Sequence, residues 1–285
     1  MNPYKKYVAD HAKLFAAGKK LRLTGTSAPK PAKPKANAPV ALIFSPHPDD
    51  ECITGALALR LWREAGFRVI NIAVTLGSKA SRRKARLKEL SAACGFLGFE
   101  LEQIAPGGLG KITPVARVQE PKRWETAVRL TAALLWRHKP AVIFLPHAHD
   151  WHPTHIGTHW LVTDALATLP ESFACTLVET EFWGQMAAPN LLVESGEADV
   201  ADLVAALSLH TDEVRRNPYH LRLPAWMQDN VRRGAELVGG AGGKAPEFGF
   251  ATLYRVSRRS KGVATSFTPR KTWLGRDARP AGIFS

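Results

Sequence analysis

Between residues 40 and 209 the chain alternates strand-like runs with helix-length segments, and this alternation constrains its fold more than any other feature. Residues 40–45, 69–75, 100–104, 141–145 and 177–182 read as strands. Residues 53–65, 82–97, 124–138, 156–167 and 198–209 read as helices. Gly66 stops the first of these, and Lys139-Pro140 stops the third. Strands alternating with helices of this length make βαβ units. The expected fold is therefore α/β, with a Rossmann-like, mostly parallel sheet and helices on both faces. In such a sheet the ligand site, and here the active site, lies at the carboxyl ends of the strands.

The two ends differ from this middle in composition. Residues 25–38 are dominated by Pro, Ala and Lys without apolar periodicity, which reads as an extended, semi-rigid linker. Ahead of it, residues 4–17 read as a short basic amphipathic helix. Past residue 257 the chain turns basic and Pro-containing, which reads as a loosely ordered tail. The expected organisation is a basic N-terminal extension and linker over 1–38, a catalytic domain over 39–257 and a basic tail over 258–285. Much of the net charge of +14 lies in these ends. Such an excess favours anionic partners, against the plainer reading of solvated ends.

No run approaches the roughly 20 apolar residues of a membrane-spanning helix, and residues 1–20 lack the apolar core of a secretory signal. Cys52, Cys94 and Cys175 form no CxxC pair. A cytoplasmic location is expected on these grounds. Gly107-Gly108-Leu109-Gly110 lacks the Gly-Lys-Ser/Thr ending of a phosphate loop. No signature of specific nucleic-acid binding is present, and nothing specifies an oligomeric state.

The first strand runs directly into Ser45-Pro46-His47-Pro48-Asp49-Asp50-Glu51. The fourth runs into Pro146-His147-Ala148-His149-Asp150-Trp151-His152-Pro153-Thr154-His155, with His159 one helical turn on. Two clusters of metal-ligand residue types thus follow two strands at equivalent positions. Zinc takes imidazole nitrogen and carboxylate oxygen, and its catalytic sites keep one position open. One His and one Asp from the first loop with one His from the second would make such an open site. A further carboxylate would accept a proton from the attacking water, and a further imidazole would stabilise an oxyanion or protonate a leaving amine. Amide hydrolysis needs these parts together. Taken alone, His-Pro-Asp-Asp is also compatible with a turn and a helix cap.

His47-Pro48-Asp49-Asp50-Glu51 resembles the signature of the zinc-dependent N-acetylglucosaminyl deacetylases, the PIG-L or LmbE-like family. Asp150-Trp151-His152-Pro153-Thr154-His155 is similar to that family's Asp-x-His-Pro-Asp-His pattern. Thr75-Leu76-Gly77, Arg86-Leu87-Lys88-Glu89 and Leu207-Ser208-Leu209-His210 resemble its lesser motifs. The resemblance implies that His47, Asp50 and His155 ligate the metal, zinc or alternatively Fe2+. It implies Asp49 as general base and His152 as the group that stabilises the oxyanion or acts as acid. Arg86 and His210 would bind substrate, a small-molecule amino sugar that the basic charge allows to be anionic. Glu51, Thr154 and Asp150 would support the ligands from behind. Thr154 stands where the family has Asp, so His152 loses a charged partner. His147 and His149 would line the pocket mouth or, with Asp150, take over part of the role of His152, and His159 would either support a ligand or pack within its helix. The implied activity is metal-dependent removal of an N-acyl group, acetyl in the family, from an N-acetylglucosamine-type conjugate. The alternative is a weak or inactive relative that binds an anionic glycan, lipid surface or nucleic acid through its basic ends.

Overall fold

The computed structural model describes residues 2–23, 37–266 and 273–284. Most of the linker expected at 25–38 lies outside the described residues. In chain order the elements are α1 (Tyr4–Gly18), β1 (Val40–Ser45), α2 (Asp50–Ile53), α3 (Ala56–Ala65), β2 (Arg68–Ala73), α4 (Arg83–Leu97) and β3 (Glu100–Gln103). Then follow α5 (Pro114–Gln119), α6 (Pro121–His138), β4 (Val142–Pro146), α7 (Pro153–Ala167), β5 (Cys175–Thr180), β6 (Leu191–Ser195) and α8 (Glu197–Ser208). The last part holds α9 (Thr211–Arg216), a 3-10 turn at Tyr219–Arg222, α10 (Leu223–Leu237), β7 (Phe250–Ser260), β8 (Val263–Ser266) and β9 (Trp273–Leu274).

The sheet runs β3-β2-β1-β4-β5-β7-β6-β9, with β8 paired to β7. Its first five strands are mutually parallel, while β7 runs antiparallel to both β5 and β6. Alternation along β1 separates the two faces. Ala41 and Ile43 join a core with Leu57 and Leu61 of α3, Leu90 of α4 and Leu203 of α8. Leu42 and Phe44 point the other way, into a core with Trp124 and Leu135 of α6 and Leu161 of α7. A strand buried on both faces carries no polar alternation, which is why residues 40–44 read as one apolar run. This is the mostly parallel α/β sheet with helices on both faces that the alternation implied. Among the described residues no helix is long and apolar enough to cross a membrane.

Two expectations need correction. The single helix expected over 53–65 is broken at Gly55, whose φ is +90°. The Tyr254 hydroxyl enters the break, donating to the Thr54 carbonyl at 2.8 Å and accepting the Leu57 N–H at 3.4 Å. A side chain on Gly55 would collide with Thr252 and the Tyr254 hydroxyl. The second correction concerns the tail. The boundary expected at 257 falls inside β7, which pairs with β5 as far as Arg259 and turns back to pair with β8. β9 joins β6.

Arg259 shows how so basic a segment joins the core. It is 3% exposed. Its guanidinium donates to the carbonyls of Leu166, Leu169 and Phe173, at and beyond the C-terminal end of α7. A cation suits that end of a helix, where carbonyls have lost their partners. Arg259→Met should therefore strand several carbonyls and cost about 3 kcal/mol. A denaturant titration should read that loss, and an unchanged midpoint would contradict the capping role.

Candidate active site

β1 and β4 are neighbours in the sheet, and the chain leaves them for opposite faces. This is a topological switch point, where parallel sheets open a crevice at the strand ends. The two ligand-type loops meet there. The first is anchored from the segment after β2 and from α4: the Thr75 hydroxyl donates to the Pro46 carbonyl at 2.7 Å, and Arg86 Nη2 donates to the Pro48 carbonyl at 2.8 Å. Gly77, with φ +84°, leaves the room this arginine needs, since a Cβ there would meet Arg86 Nη1 at 2.4 Å. The second loop wraps around Asp150. Its Oδ1 accepts the His152 N–H at 2.9 Å, and its Oδ2 accepts the N–H groups of Trp183 at 3.2 Å and Gly184 at 3.3 Å.

Three donor atoms converge between the loops. His47 Nδ1 lies 3.2 Å from His155 Nε2 and 3.4 Å from Asp50 Oδ2. His155 Nε2 lies 3.3 Å from the same oxygen. Two ligands on a tetrahedral zinc, each about 2 Å from it, stand about 3.3 Å apart, so the residues present fit such an ion. The electrostatics agree. Burial would lower the His155 pKa, but Asp50 and Asp150 overcome it and push the imidazole up to about 10. Burial would raise Asp50, but His155 and His47 hold it well below the usual carboxylate range. Asp50 and Asp150 thus put negative charge around His155, which a proton on its ring or a metal ion bound there would balance. Asp150 Oδ1 faces His155 Nδ1 at 3.5 Å, the carboxylate-behind-histidine arrangement that orients a metal-binding ring.

His152 sits beside these donors, its ring centroid 4.8 Å from that of His47 and 5.2 Å from that of His155. It caps α7, its Nδ1 accepting the Thr154 backbone N–H at 3.2 Å. The contact between Thr154 and His152 thus runs through the main chain, which any residue but proline at 154 supplies. With Nδ1 an acceptor, the neutral ring carries its proton on Nε2.

Asp49 is the strained member. Its φ of +126° is rare for a residue with a side chain. Its N–H donates to Glu51 Oε2 at 2.9 Å, and Glu51 Oε1 pairs with His210 Nε2 at 2.7 Å. Tyr219 donates its hydroxyl to Asp49 Oδ2 at 2.5 Å, and Arg86 Nη2 stands 3.8 Å from the same oxygen. Burial and the adjacent Asp50 charge raise the Asp49 carboxyl to about 6.

The structure therefore brings His47, Asp49, Asp50, His152 and His155 together, with Asp150 and Glu51 behind them. It places Arg86 and His210 differently from the expected substrate contacts. His210 is fully buried against Glu51, and Arg86 braces the loop from behind. His147 bonds the Gly184 carbonyl through Nε2 at 2.9 Å, and His159 bonds the Pro146 carbonyl through Nδ1 at 2.9 Å. Both serve the scaffold, whereas His149 is exposed. The residue that sequence reasoning missed is Tyr219. It lies on a short turn after Pro218, with no periodicity or motif to mark it. Trp183 meets the Tyr219 ring edge-on at 5.8 Å and is 44% exposed, while Trp151 is 80% exposed.

Residues 42–166 match the family model described as PIG-L: GlcNAc-PI de-N-acetylase. The match runs from β1 to the end of α7, under half of the chain, and includes both loops. It is the family the two motifs resemble. No curated protein matches the chain by sequence. Among solved structures, a conserved protein of Thermus thermophilus is 20% identical with a TM-score of 0.57, over 76% of this chain and 93% of that one. The N,N'-diacetylchitobiose deacetylase of Pyrococcus horikoshii is 15% identical with a TM-score of 0.53, over 90% and 93%. The 4-carboxy-2-hydroxymuconate hydratase GalB of Pseudomonas putida is 16% identical with a TM-score of 0.57, over 76% and 95%. Likeness at this identity establishes the fold. The hydratase among these neighbours shows that the fold alone does not select the reaction.

Proposed function

We propose that the protein is a metal-dependent amide hydrolase that removes an N-acyl group, acetyl in the first instance, from an N-acetylglucosamine-type amino-sugar conjugate. The observation that carries this reading is the convergence of His47 Nδ1, Asp50 Oδ2 and His155 Nε2 at tetrahedral spacing. The Asp49 carboxylate, held by the Tyr219 hydroxyl, and the His152 imidazole, grouped with those of His47 and His155, lie next to them. The family match over both loops supports a hydrolase of the deacetylase type. The same convergence favours an enzyme over a binding protein with a degenerate site.

His47, Asp50 and His155 would hold the ion, with zinc and ferrous iron both suited to imidazole and carboxylate. When bound, such an ion acts as a Lewis acid on the acyl carbonyl and makes water nucleophilic at neutral pH. Asp49 accepts the proton of the attacking water as its oxygen bonds to the carbonyl carbon. A carboxyl pushed up to about 6 is a stronger base than an ordinary Asp and still ionised at neutral pH. His152 presents its Nε2–H to the developing oxyanion, because Thr154 occupies Nδ1. Asp49 then returns the proton to the nitrogen as the C–N bond breaks, leaving a carboxylic acid and a free amine. Tyr219, Arg86, Glu51 and His210 act through the position of Asp49. The exposed faces of Trp151, which precedes His152 in the chain, and of Trp183, edge-on to Tyr219, suit a sugar ring.

The test is a panel of N-acetylated amino sugars, free and conjugated, incubated with the zinc- or iron-loaded protein while acetate and free amine are followed. Release of both in equal amounts, abolished by chelation and restored by metal, is expected. Water addition without amine release, or no turnover by a fully loaded protein, would replace the proposal.

A further inference from the structure

We propose that α1 is a membrane-surface element whose apolar side lies on an anionic lipid bilayer. This interaction is separate from amide hydrolysis.

Tyr4, Tyr7, Val8, His11, Leu14 and Phe15 recur at spacings of three and four, so they share one side of the helix. Tyr4 and Tyr7 are each 69% exposed, Val8 62% and Leu14 70%. Single exposed apolar residues are ordinary on a protein surface, but several aligned along one helix are a patch. The body holds α1 near its C-terminal end. There Arg222 lies over the Phe15 ring at 4.3 Å, and Gly18 abuts Leu221. The same short turn carries Tyr219 to Asp49, so the helix is mounted on a wall of the catalytic site.

Charge selects the occupant. Lys6 and Lys13 lie on the helix away from the stripe, Lys5 lies at its flank, and Lys19, Lys20 and Arg22 follow it. The single acid, Asp10, is already paired with Lys6 and Lys13. A second copy of α1 would cover the stripe but offer the lysines no opposite charge. A nucleic acid would satisfy the lysines but offers nothing to Val8 and Leu14. A bilayer with anionic headgroups satisfies both, the exposed part of the stripe from Tyr4 to Leu14 entering the acyl boundary while Lys5 at its flank and Lys19, Lys20 and Arg22 at its end meet the surface charge. At 15 residues α1 is too short to span a bilayer, so it lies on the surface.

The experiment sediments the full-length protein with vesicles of phosphatidylcholine alone and of phosphatidylcholine mixed with phosphatidylglycerol. Pelleting with the mixed vesicles, weakened by salt, is expected. Val8→Glu and Leu14→Glu should each lower partitioning about tenfold. Lys5→Gln and Lys20→Gln should each lower it about fivefold. All four positions are exposed, so melting curves and hydrolysis of a soluble substrate should not move, which separates this proposal from the catalytic one. Equal partitioning to both vesicle types, no partitioning, or variants that bind like the parent would overturn it. So would self-association or poly-uridine binding in the absence of vesicle binding.

Discussion

His155→Ala should bind its metal at least a hundredfold more weakly, about the upper limit of what the loss of a mere supporting group costs, and should lose deacylation with it. The expectation follows from where His155 sits. Its Nε2 lies within 3.2 to 3.3 Å of the two other donor atoms, and its Nδ1 faces Asp150. Alanine removes one donor of three. It also leaves Asp50 and Asp150 buried with less positive charge between them, which disfavours their ionised forms. Asp150→Asn is the graded control. It keeps every ligand but weakens the group behind His155, and its single amide oxygen can no longer accept all the N–H groups of His152, Trp183 and Gly184, so a ten- to hundredfold loss of affinity is expected. Metal content of the purified variants, with a competition titration against a chelator, reads both effects without reference to activity. Full occupancy in His155→Ala would place the ion elsewhere. Glu51, Cys52 and His210, which also bring ligand atoms together, would then be examined first.

The strands and loops that make this site were legible because their signals are local. β1 is buried on both faces, so its apolar run has no competing explanation, and His-Pro-Asp-Asp-Glu follows it without a gap. The partnership of the two loops was also legible, because β1 and β4 precede them in the same way. Other features depend on contacts distant in sequence. The break at Gly55 is filled by Tyr254, about two hundred residues away, and nothing around residue 55 announces it. β7 ends in Ser-Arg-Arg-Ser, which reads as solvated chain until Arg259 is seen to cap α7 from across the sheet. Tyr219 reaches Asp49 through a turn whose sequence is unremarkable. His210 was found by motif but misplaced, since a motif carries no information about burial. Thr154 led to an expected loss of partner for His152, whereas the bond that fixes the ring comes from the backbone.

Asp49→Asn should retain its metal and lose about a thousandfold in kcat, within the range that a positioned general base contributes. Asparagine keeps the size of the side chain, an oxygen to accept the Tyr219 hydroxyl, and a tolerance of positive φ. It cannot accept a proton from water. KM should change little, because His47, Asp50, His155 and the rim aromatics are untouched. Full activity with full metal would remove Asp49 from the mechanism and pass the role to Asp150 or Glu51. Asp49→Gly supplies the energetic complement. The backbone at this position is held at φ +126° by Glu51 on its N–H and by Arg86 on the preceding carbonyl. Glycine adopts such angles readily, and strain of this kind is of order 1–3 kcal/mol. The glycine variant should therefore unfold at higher denaturant than Asp49→Asn, while being equally inactive. A gain in stability paired with loss of turnover is the outcome expected where a strained residue is retained for the reaction it performs. Lower stability in the glycine variant would mean that the Asp49 side chain, through Tyr219, holds the site together more than the backbone angle opposes it.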